Sequence, residues 1–500
     1  MTRLITLIAY DLRMLRRDRG ALLLMAAALL LALYGLFEGV RFQRHTQAAQ
    51  RAAAAQESGA RRAAEDLAAR YFADPDAPEF AALLWYRTPV DVRGYALREH
   101  VAFASRPLLP GAGLAIGQAD VQPPTVRVRA ESMDSVRTAG EIEHPARLAA
   151  GRYDLAYFTV YLWPLMLLSL CASVLTRERE SRRLRSLLLQ GVRPGLLLAA
   201  QAGARSLLAT VLLVAAVGAA ALAAGSVPAT GAGLAALGWW SAVTLAYSTF
   251  WAAVAMAVCA LAADRPSAAF AGFGLWLLFA VVLPGALDAA LRIGAPLPAR
   301  ERYVQALRDA GDRVAADGAA SLARFYDRHP QWKPRRTALD QVPASVSRLQ
   351  RAQELELAMR GVDAEFAAAQ AARAGLSARL SAFSPATLAS QAFATVAGND
   401  AARYQDFIGE VASYQGGLRD FFQGAIQRAA LGDERAPCPR TCLGGYGFRD
   451  FDRVPLFAAS PGLARQAPPP ARTLALLAWA AAFAALAPGA LRLARARHDG

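Results

Sequence analysis

Few residues of this 500-residue chain have the type and spacing that catalysis or metal binding requires. The only lysine, Lys333, lies in Trp-Lys-Pro, whereas a P-loop needs Gly-Lys followed by serine or threonine so that the ammonium group reaches the terminal phosphates. The five histidines are scattered, and no H-E-x-x-H motif or other metal-ligand spacing occurs. His100, beside Glu99, stands alone, and we expect it at the surface. The sequence therefore predicts neither an enzyme active site nor a metal or other cofactor bound by this chain.

The four cysteines divide into two pairs. Cys171 and Cys259 lie within apolar segments, where a cysteine packs as a small hydrophobic residue. Cys438 and Cys442 form C-P-R-T-C in a segment that we expect outside the membrane. In an oxidising compartment this spacing allows a local disulfide, and a metal-binding pair is the alternative, although no histidine is near in the sequence.

The most concentrated charge lies in the segment 176–205, which has seven arginines and two glutamates. Leu184, Leu187 and Leu188 recur at helical spacing, and Gly191 followed by Pro194 ends that helix. The segments on both sides are uncharged and apolar. Because positive residues favour the cytoplasmic side of a membrane, we expect a short amphipathic helix there between two spans.

Six apolar runs lack Asp, Glu, Lys, Arg and His altogether. A hydrocarbon core of about 30 Å needs about 20 helical residues, so each run can cross a bilayer. The predicted spans are 20–37, 155–175, 206–224, 234–262, 267–287 and 473–491. With residues 1–19 as an amphipathic surface helix and 492–500 as a basic tail, both termini should lie in the cytoplasm.

The spans leave two large insertions, 38–154 and 288–470, on the other side of the membrane. In the first, a helix over 47–70 should continue out of the membrane, and 125–129 is the best strand candidate. In the second, apolar stripes beginning at Tyr303, Leu355 and Tyr404 predict three helices that pack on one another. The predicted fold is therefore a mainly α membrane protein with a mixed α/β first insertion and a largely helical second one.

Two further details of the spans can be predicted. Pro164 lies near the middle of its run and should kink that helix. Trp239 and Trp240 stand near the start of another run, where an interfacial aromatic belt is expected.

The net charge of +15 does not indicate a nucleic-acid-binding protein, because the arginines are concentrated beside the apolar runs rather than among aromatic residues. The absence of ionisable residues inside the runs argues against proton-coupled transport, while sodium could still bind neutral polar groups. If this protein moves a substrate uphill, we expect the energy to come from a partner.

The segment after the second run resembles the cytoplasmic coupling loop of ABC-2 type exporter permeases, which typically carries E-R-E-x-G-T-L-x-x-L-L. Here Glu178-Arg179-Glu180 and 184–188 fit that pattern, and Ser181-Arg182-Arg183 replaces the small-residue turn. A second likeness joins Ser384-Pro385 to A-G-N-D-A-A-R-Y-Q-D-F at 397–407, and it is similar to the S-P…G-T-D…R-x-x-F segment of a bacterial branch with two large insertions. Asn399 stands where threonine is more usual. That branch is similar to permeases of copper-site maturation and gliding-motility systems.

The resemblance implies a permease subunit in the bacterial inner membrane, itself not an enzyme, that works with an identical copy or a companion permease. A separate ABC ATPase would bind ATP and dock on 176–190. The residues implied in coupling are Arg177, Glu178, Arg179, Glu180, Leu184, Leu187 and Leu188. The two glutamates could instead simply favour the dipole at the start of a helix.

Two other functions stay open from the sequence. A non-transporting scaffold or mechanotransmitter would pass ATPase-driven movement to the extracytoplasmic insertions. A membrane-anchored enzyme is the weaker hypothesis, because no catalytic motif supports it. The transported substrate is not encoded in any motif of the chain.

Overall fold

The computed structural model describes residues 2–81, 84, 88–131, 152–171, 174, 178, 189–190, 194–262, 264–333, 344–433, 443, 445–465 and 467–496. These residues are mostly helical, and they include one two-stranded sheet. Short helical turns lie at Pro78–Phe80, Val92–Gly94, Tyr95–Glu99, Ala112–Leu114, Gly117–Asp120, Pro330–Trp332, Phe451–Arg453 and Pro461–Ala464.

The chain begins with helix α1 (Thr2–Leu15), followed by the long helix α2 (Arg19–Ala73). Asp18 starts α2 by accepting hydrogen bonds from the backbone N–H groups of Gly20 and Ala21. At about 1.5 Å per residue, α2 is about 80 Å long. Its first part is apolar and its second part polar, so the predicted apolar run and the predicted helix over 47–70 are one continuous element.

Most of the other apolar segments also form helices that pack side by side. They are α3 (Leu155–Cys171), α4 (Pro194–Ala223), α5 (Gly231–Leu261), α6 (Arg265–Gly294) and, later in the chain, α12 (Pro470–Ala496). Four of the described helices, α2, α4, α5 and α6, are long and apolar enough to cross a membrane, whereas Leu155–Cys171 and Pro470–Leu486 are shorter apolar helices. Large apolar side chains such as Leu23 (72% exposed) and Phe270 (78% exposed) point outward. Exposed apolar surface of this kind indicates a membrane-embedded protein.

Helix α5 forms the centre of this helical bundle. Its fully buried aromatic side chains are Trp240, Tyr247, Phe250 and Trp251. The expectation that Trp240 belongs to an interfacial belt is therefore wrong, because its ring is enclosed by neighbouring helices. A tryptophan can fill a helix interface as well as a headgroup region, and sequence position does not separate the two.

Helices α3 and α6 each contain one π-helical turn just before a proline. The turns are Phe158–Leu162, before Pro164, and Leu278–Val282, before Pro284. A proline has no N–H to give to the carbonyl four residues earlier. In α3 that carbonyl, of Val160, accepts a hydrogen bond of 2.9 Å from the Tyr247 hydroxyl instead. A π-helical turn thus precedes Pro164, and the Val160 carbonyl that lacks its helical donor is hydrogen-bonded by a side chain of α5.

The first insertion contains strands β1 (Ala102–Ser105) and β2 (Thr125–Val128), paired antiparallel with Ala102 opposite Val128. The strand predicted over 125–129 is confirmed within one residue. Glu57 of α2 accepts a hydrogen bond of 2.9 Å from the backbone N–H of Phe103, which fixes the sheet against the polar half of α2.

The second insertion contains α7 (Arg300–Ala316), α8 (Gly318–Arg328), α9 (Ala344–Ser381), α10 (Pro385–Ala397) and α11 (Ala401–Asp433). The three helices predicted from apolar stripes are confirmed as α7, α9 and α11. Their packing is confirmed at α7 and α9, where the rings of Tyr303 and Phe366 lie 5.4 Å apart and Arg302 pairs with Glu365 at 2.8 Å.

Candidate functional site at the two ends of the helical bundle

Most of the residues implied in ATPase coupling lie outside the described residues. This holds for Arg177, Arg179, Glu180, Leu184, Leu187 and Leu188, and also for the candidate disulfide residues Cys438 and Cys442. Glu178 is described as helical and buried, and it has interaction partners. The elements on either side of this segment are described.

The N-terminal helix α1 is joined to α4 by a buried ion pair. The Arg205 guanidinium donates through Nε to Asp11 Oδ2 at 2.8 Å and through Nη2 to Asp11 Oδ1 at 2.6 Å. Its remaining Nη1 donates to the carbonyl oxygen of Leu170 in α3 at 3.1 Å. Asp11 is 2% exposed and Arg205 is 8% exposed. One arginine therefore connects three elements, with each donor edge matched to an acceptor.

A small apolar cluster also joins α1 to the first turns of α4. Its buried members are Val174, Leu197, Leu198, Cys259 and Ala260, and Leu7 of α1 packs against them. Cys171 and Cys259 are both buried free thiols, as predicted, and the Cys259 thiol donates to the Cys171 carbonyl at 3.2 Å. We call these residues, with Asp11 and Arg205, the α1 junction. The α1 junction includes Val174, which precedes the segment 175–188, and the first turns of α4, which follow that segment.

At the opposite end of the bundle, α10 packs among the apolar helices. Ser384 begins it by accepting a hydrogen bond from the Thr387 N–H at 3.2 Å, and Pro385 occupies the first turn. Its buried face belongs to the same apolar core as α5 and α12, with the Phe393 and Trp240 rings 6.4 Å apart. The Trp479 indole N–H of α12 donates to the Ala382 carbonyl at 2.9 Å. The helix also contacts both π-helical turns.

The A-G-N-D motif ends α10 and attaches it to the first insertion. Gly398 adopts the left-handed conformation (φ 70°) that ends many helices. The Asn399 side-chain amide then donates to the carbonyls of Ala112 (3.2 Å) and Ala115 (2.6 Å). Both bonds use the amide hydrogens of the Asn399 side chain.

The segment 109–117, which receives Asn399, also contacts α2 and α3. Gly39 of α2 lies so close to it that an added Cβ would stand 1.9 Å from the Gly113 carbonyl oxygen. Asp154, which begins α3, accepts the N–H of Ile116 at 2.6 Å and that of Tyr157 at 2.6 Å. Burial raises the pKa of Asp154, and these hydrogen bonds oppose that rise. Both insertions therefore join the bundle at one crossing.

A groove of about 360 Å³ lies between α4, α5 and α12. Its hydroxyl groups include Thr210 and Thr249, each of which donates at 2.7 Å to a carbonyl of its own helix. Since each of these two hydroxyls uses its hydrogen within its own helix, neither can donate to a ligand in the groove.

The sequence did not indicate Asp11 or Arg205 as functional residues, and it marked only the two ends of α10, through Ser384-Pro385 and the motif at 397–407. Asp11 is one acidic residue on a predicted surface helix, and nothing near it in sequence identifies Arg205 as its partner. A signal for α10 does exist: residues 380–399 carry no charge, although their serine, threonine and glutamine content keeps them less apolar than the six runs. His100, expected at the surface, is 5% exposed, which contradicts that expectation.

Residues 300–435 match the family described as a domain of unknown function, DUF3526. The match covers less than half of the chain and includes Ser384-Pro385 and the motif at 397–407. Neither the curated proteins nor the solved structures contain a match to this chain.

Proposed function

We propose that this protein is the transmembrane permease subunit of an ABC-2 type exporter, with six spans and both termini in the cytoplasm of a bacterium. A separate ATPase subunit would dock on the segment 176–190. A second copy or a companion permease would complete the translocation unit.

The observation that carries this proposal is the buried Asp11–Arg205 pair. The segment 176–190 lies between α3 and α4, and Arg205 contacts α3, α4 and α1 at once. A push on that segment would thus reach three elements at one point, and α1 could not slide along the bundle without breaking a buried charge pair. Such a rigid connection is what an energy-transmitting subunit needs.

The test is ATP hydrolysis by the assembled complex. The tagged full-length chain would be purified in mild detergent with its associated ATPase, and hydrolysis would be compared with that of Glu178→Arg/Glu180→Arg. We expect the double variant to insert normally and to lose the associated ATPase or its stimulation. A matched control, Glu301→Arg/Asp312→Arg, makes the same charge change at exposed positions of α7 and should behave as wild type. Normal association and hydrolysis in the Glu178/Glu180 variant would refute the proposal.

A second candidate, a mechanotransmitter that moves no substrate, is favoured by one observation. Through α10 and Asn399, the second insertion packs inside the bundle and also holds the first insertion. Movement of the bundle would then reach both insertions directly. The test is Asn399→Leu in the complex with the ATPase. Normal ATP hydrolysis together with a loss of cross-linking between the two insertions would favour this function.

A further inference from the structure

A cavity of about 290 Å³ lies between the polar half of α2 and the segment 89–101, away from the helical bundle. One wall is apolar and is formed by Ala60, Ala63, Ala64, Leu67, Pro89 and Val101. The polar groups that line it are Glu57, Arg61, Tyr95, Glu99 and His100. The cavity thus combines an alanine-rich surface with a compact polar end.

His100 is buried in the lining of this cavity, at 5% exposed. Its ring packs edge-on against Tyr95 (5.2 Å between centroids) and Phe422 (5.3 Å). Among the described residues, neither of its ring nitrogens has a hydrogen-bond partner. Burial, together with the Arg61 charge, lowers the pKa of His100 to about 4, so the ring is neutral at physiological pH. It therefore offers one donor and one acceptor.

Arg61 presents buried donors to the same cavity, close to the Glu57 carboxylate and to the Tyr95 side chain. Its Nε and Nη2 atoms are buried and have no hydrogen-bond partner within the described parts of the chain. Elsewhere in this protein the same two atoms hold a carboxylate: Arg205 binds Asp11 in this way, and Arg93 binds Asp91. This edge of a guanidinium matches the two oxygens of a carboxylate.

Glu57 does not complete the Arg61 edge. Its Oε1 atom lies 3.7 Å from Arg61 Nη2, which is an ion-pair contact but longer than a hydrogen bond. Its Oε2 atom is occupied by the Phe103 N–H. Burial raises the pKa of Glu57, and the Phe103 N–H and the Arg61 charge oppose that rise. Glu99 is exposed to solvent, where its charge is screened. Glu57 Oε1 is itself buried without a hydrogen-bond partner in the described parts of the chain, so the cavity holds one unpartnered carboxylate oxygen beside Arg61 Nε, Arg61 Nη2 and the two ring nitrogens of His100.

We propose that this cavity binds a small organic carboxylate, with its carboxylate on the Nε/Nη2 edge of Arg61 and beside His100, and its apolar part against the alanine wall. Buried polar groups in proteins normally have partners. A carboxylate supplies acceptors to the groups that lack them here. The site is independent of the permease proposal, because it lies in the insertions and needs no ATPase.

The test is direct binding to the purified full-length protein in detergent, with linear carboxylates of two to eight carbons as probes. Binding would be followed by saturation-transfer NMR and by the shift in thermal unfolding. Each carboxylate would be compared with its neutral amide, such as butanoate with butanamide. We expect a carboxylate of this series to bind, and its amide to bind about tenfold more weakly or less.

Two pairs of variants test the position of the site. Arg61→Gln should weaken carboxylate binding about tenfold or more, whereas Arg62→Gln, at the exposed neighbouring position, should not. Ala63→Leu should block the cavity from a solvent-exposed helix position, whereas Ala52→Leu places the same side chain elsewhere on α2. Since both alanines are exposed, these variants should fold.

Three results would overturn the proposal: no carboxylate of the series binds, the amide binds as tightly as the carboxylate, or Arg61→Gln and Ala63→Leu bind as wild type does. Because none of these measurements involves ATP hydrolysis, failure here leaves the permease proposal standing, and the reverse also holds.

Discussion

Replacing Asp11 by asparagine should destabilise the α1 junction far more than an ordinary surface change. Asp11→Asn removes the negative charge but keeps the side-chain shape. Arg205, 8% exposed, then remains as a buried cation with no counter-charge on its Nε and Nη2 atoms. Breaking one side of a buried pair costs about 3–5 kcal/mol. The carbonyl of Leu170 still accepts from Nη1, so we expect a loss at the lower end, about 3 kcal/mol.

The assay is denaturant titration of the full-length protein in mixed micelles, monitored by tryptophan fluorescence. Asp288→Asn is the matched control, since Asp288, whose side chain is 49% exposed, pairs with Arg292 four residues later at 2.8 Å and with Arg373 at 3.6 Å. An exposed pair of this kind is worth about 0.2–1 kcal/mol. The control should therefore change the unfolding free energy only slightly.

The double variant Asp11→Leu/Arg205→Met separates a lost pair from lost packing. It removes both charges and fills their space with apolar side chains, so it should recover most of the stability lost by Asp11→Asn. The reasoning would be refuted if Asp11→Asn cost no more than Asp288→Asn, or if the double variant were no more stable than the single one.

Three further predictions concern the insertions and their crossing, each checked by the same titration. The pKa of His100 is about 4 in the folded protein against 6.5 for a free histidine, so below pH 6.5 the unfolded chain takes up a proton that the folded chain does not. The unfolding free energy of wild type should therefore fall by about 2 kcal/mol between pH 7 and pH 5 relative to that of His100→Phe. Parallel pH curves for the two proteins would contradict this. Gly39→Ala should cost more than about 2 kcal/mol, because its Cβ would stand 1.9 Å from the Gly113 carbonyl oxygen. The control Gly59→Ala, whose Cβ would have nothing within 4 Å, should stabilise α2 by up to about 1 kcal/mol. Equal effects of the two substitutions would argue against the close approach at Gly39. Asn399→Leu leaves two carbonyls without donors and should cost about 1–3 kcal/mol, and Asn399→Asp should not restore the stability, since a carboxylate has no N–H to donate.

Much of the fold follows from patterns that act within one segment. The apolar runs, the strand at 125–128 and the stripes of α7, α9 and α11 were predictable because helical and strand periodicity are local properties of the sequence. The helix over 47–70 was expected to continue out of the apolar run, and α2 shows that no break separates the two parts. The end of α10 was visible as a motif, but its conformational reason, a left-handed Gly398, needed the structure.

The pairings that define the candidate site were not predictable from one sequence. Asp11 and Arg205 are 194 residues apart, and Asn399 is 284 residues from Ala115. His100 became buried because α11 supplies Phe422 across the fold, which no neighbour of His100 indicates. A single polar residue is compatible with many exposed positions and few buried ones. Its burial depends on a partner that is distant in sequence.

The position of α10 bears on both proposed functions. A helix with serine and threonine on one side and alanine on the other can pack tightly between apolar helices while the chain at both its ends leaves the bundle. Here it contacts the π-helical turns of α3 and α6, where proline has already removed a backbone hydrogen bond from each helix. A helix at that place would respond when α3 or α6 changes its bend, and Asn399 would carry the response to the first insertion. Either proposed function, transport through the bundle or movement of the insertions without transport, would then begin with the same displacement.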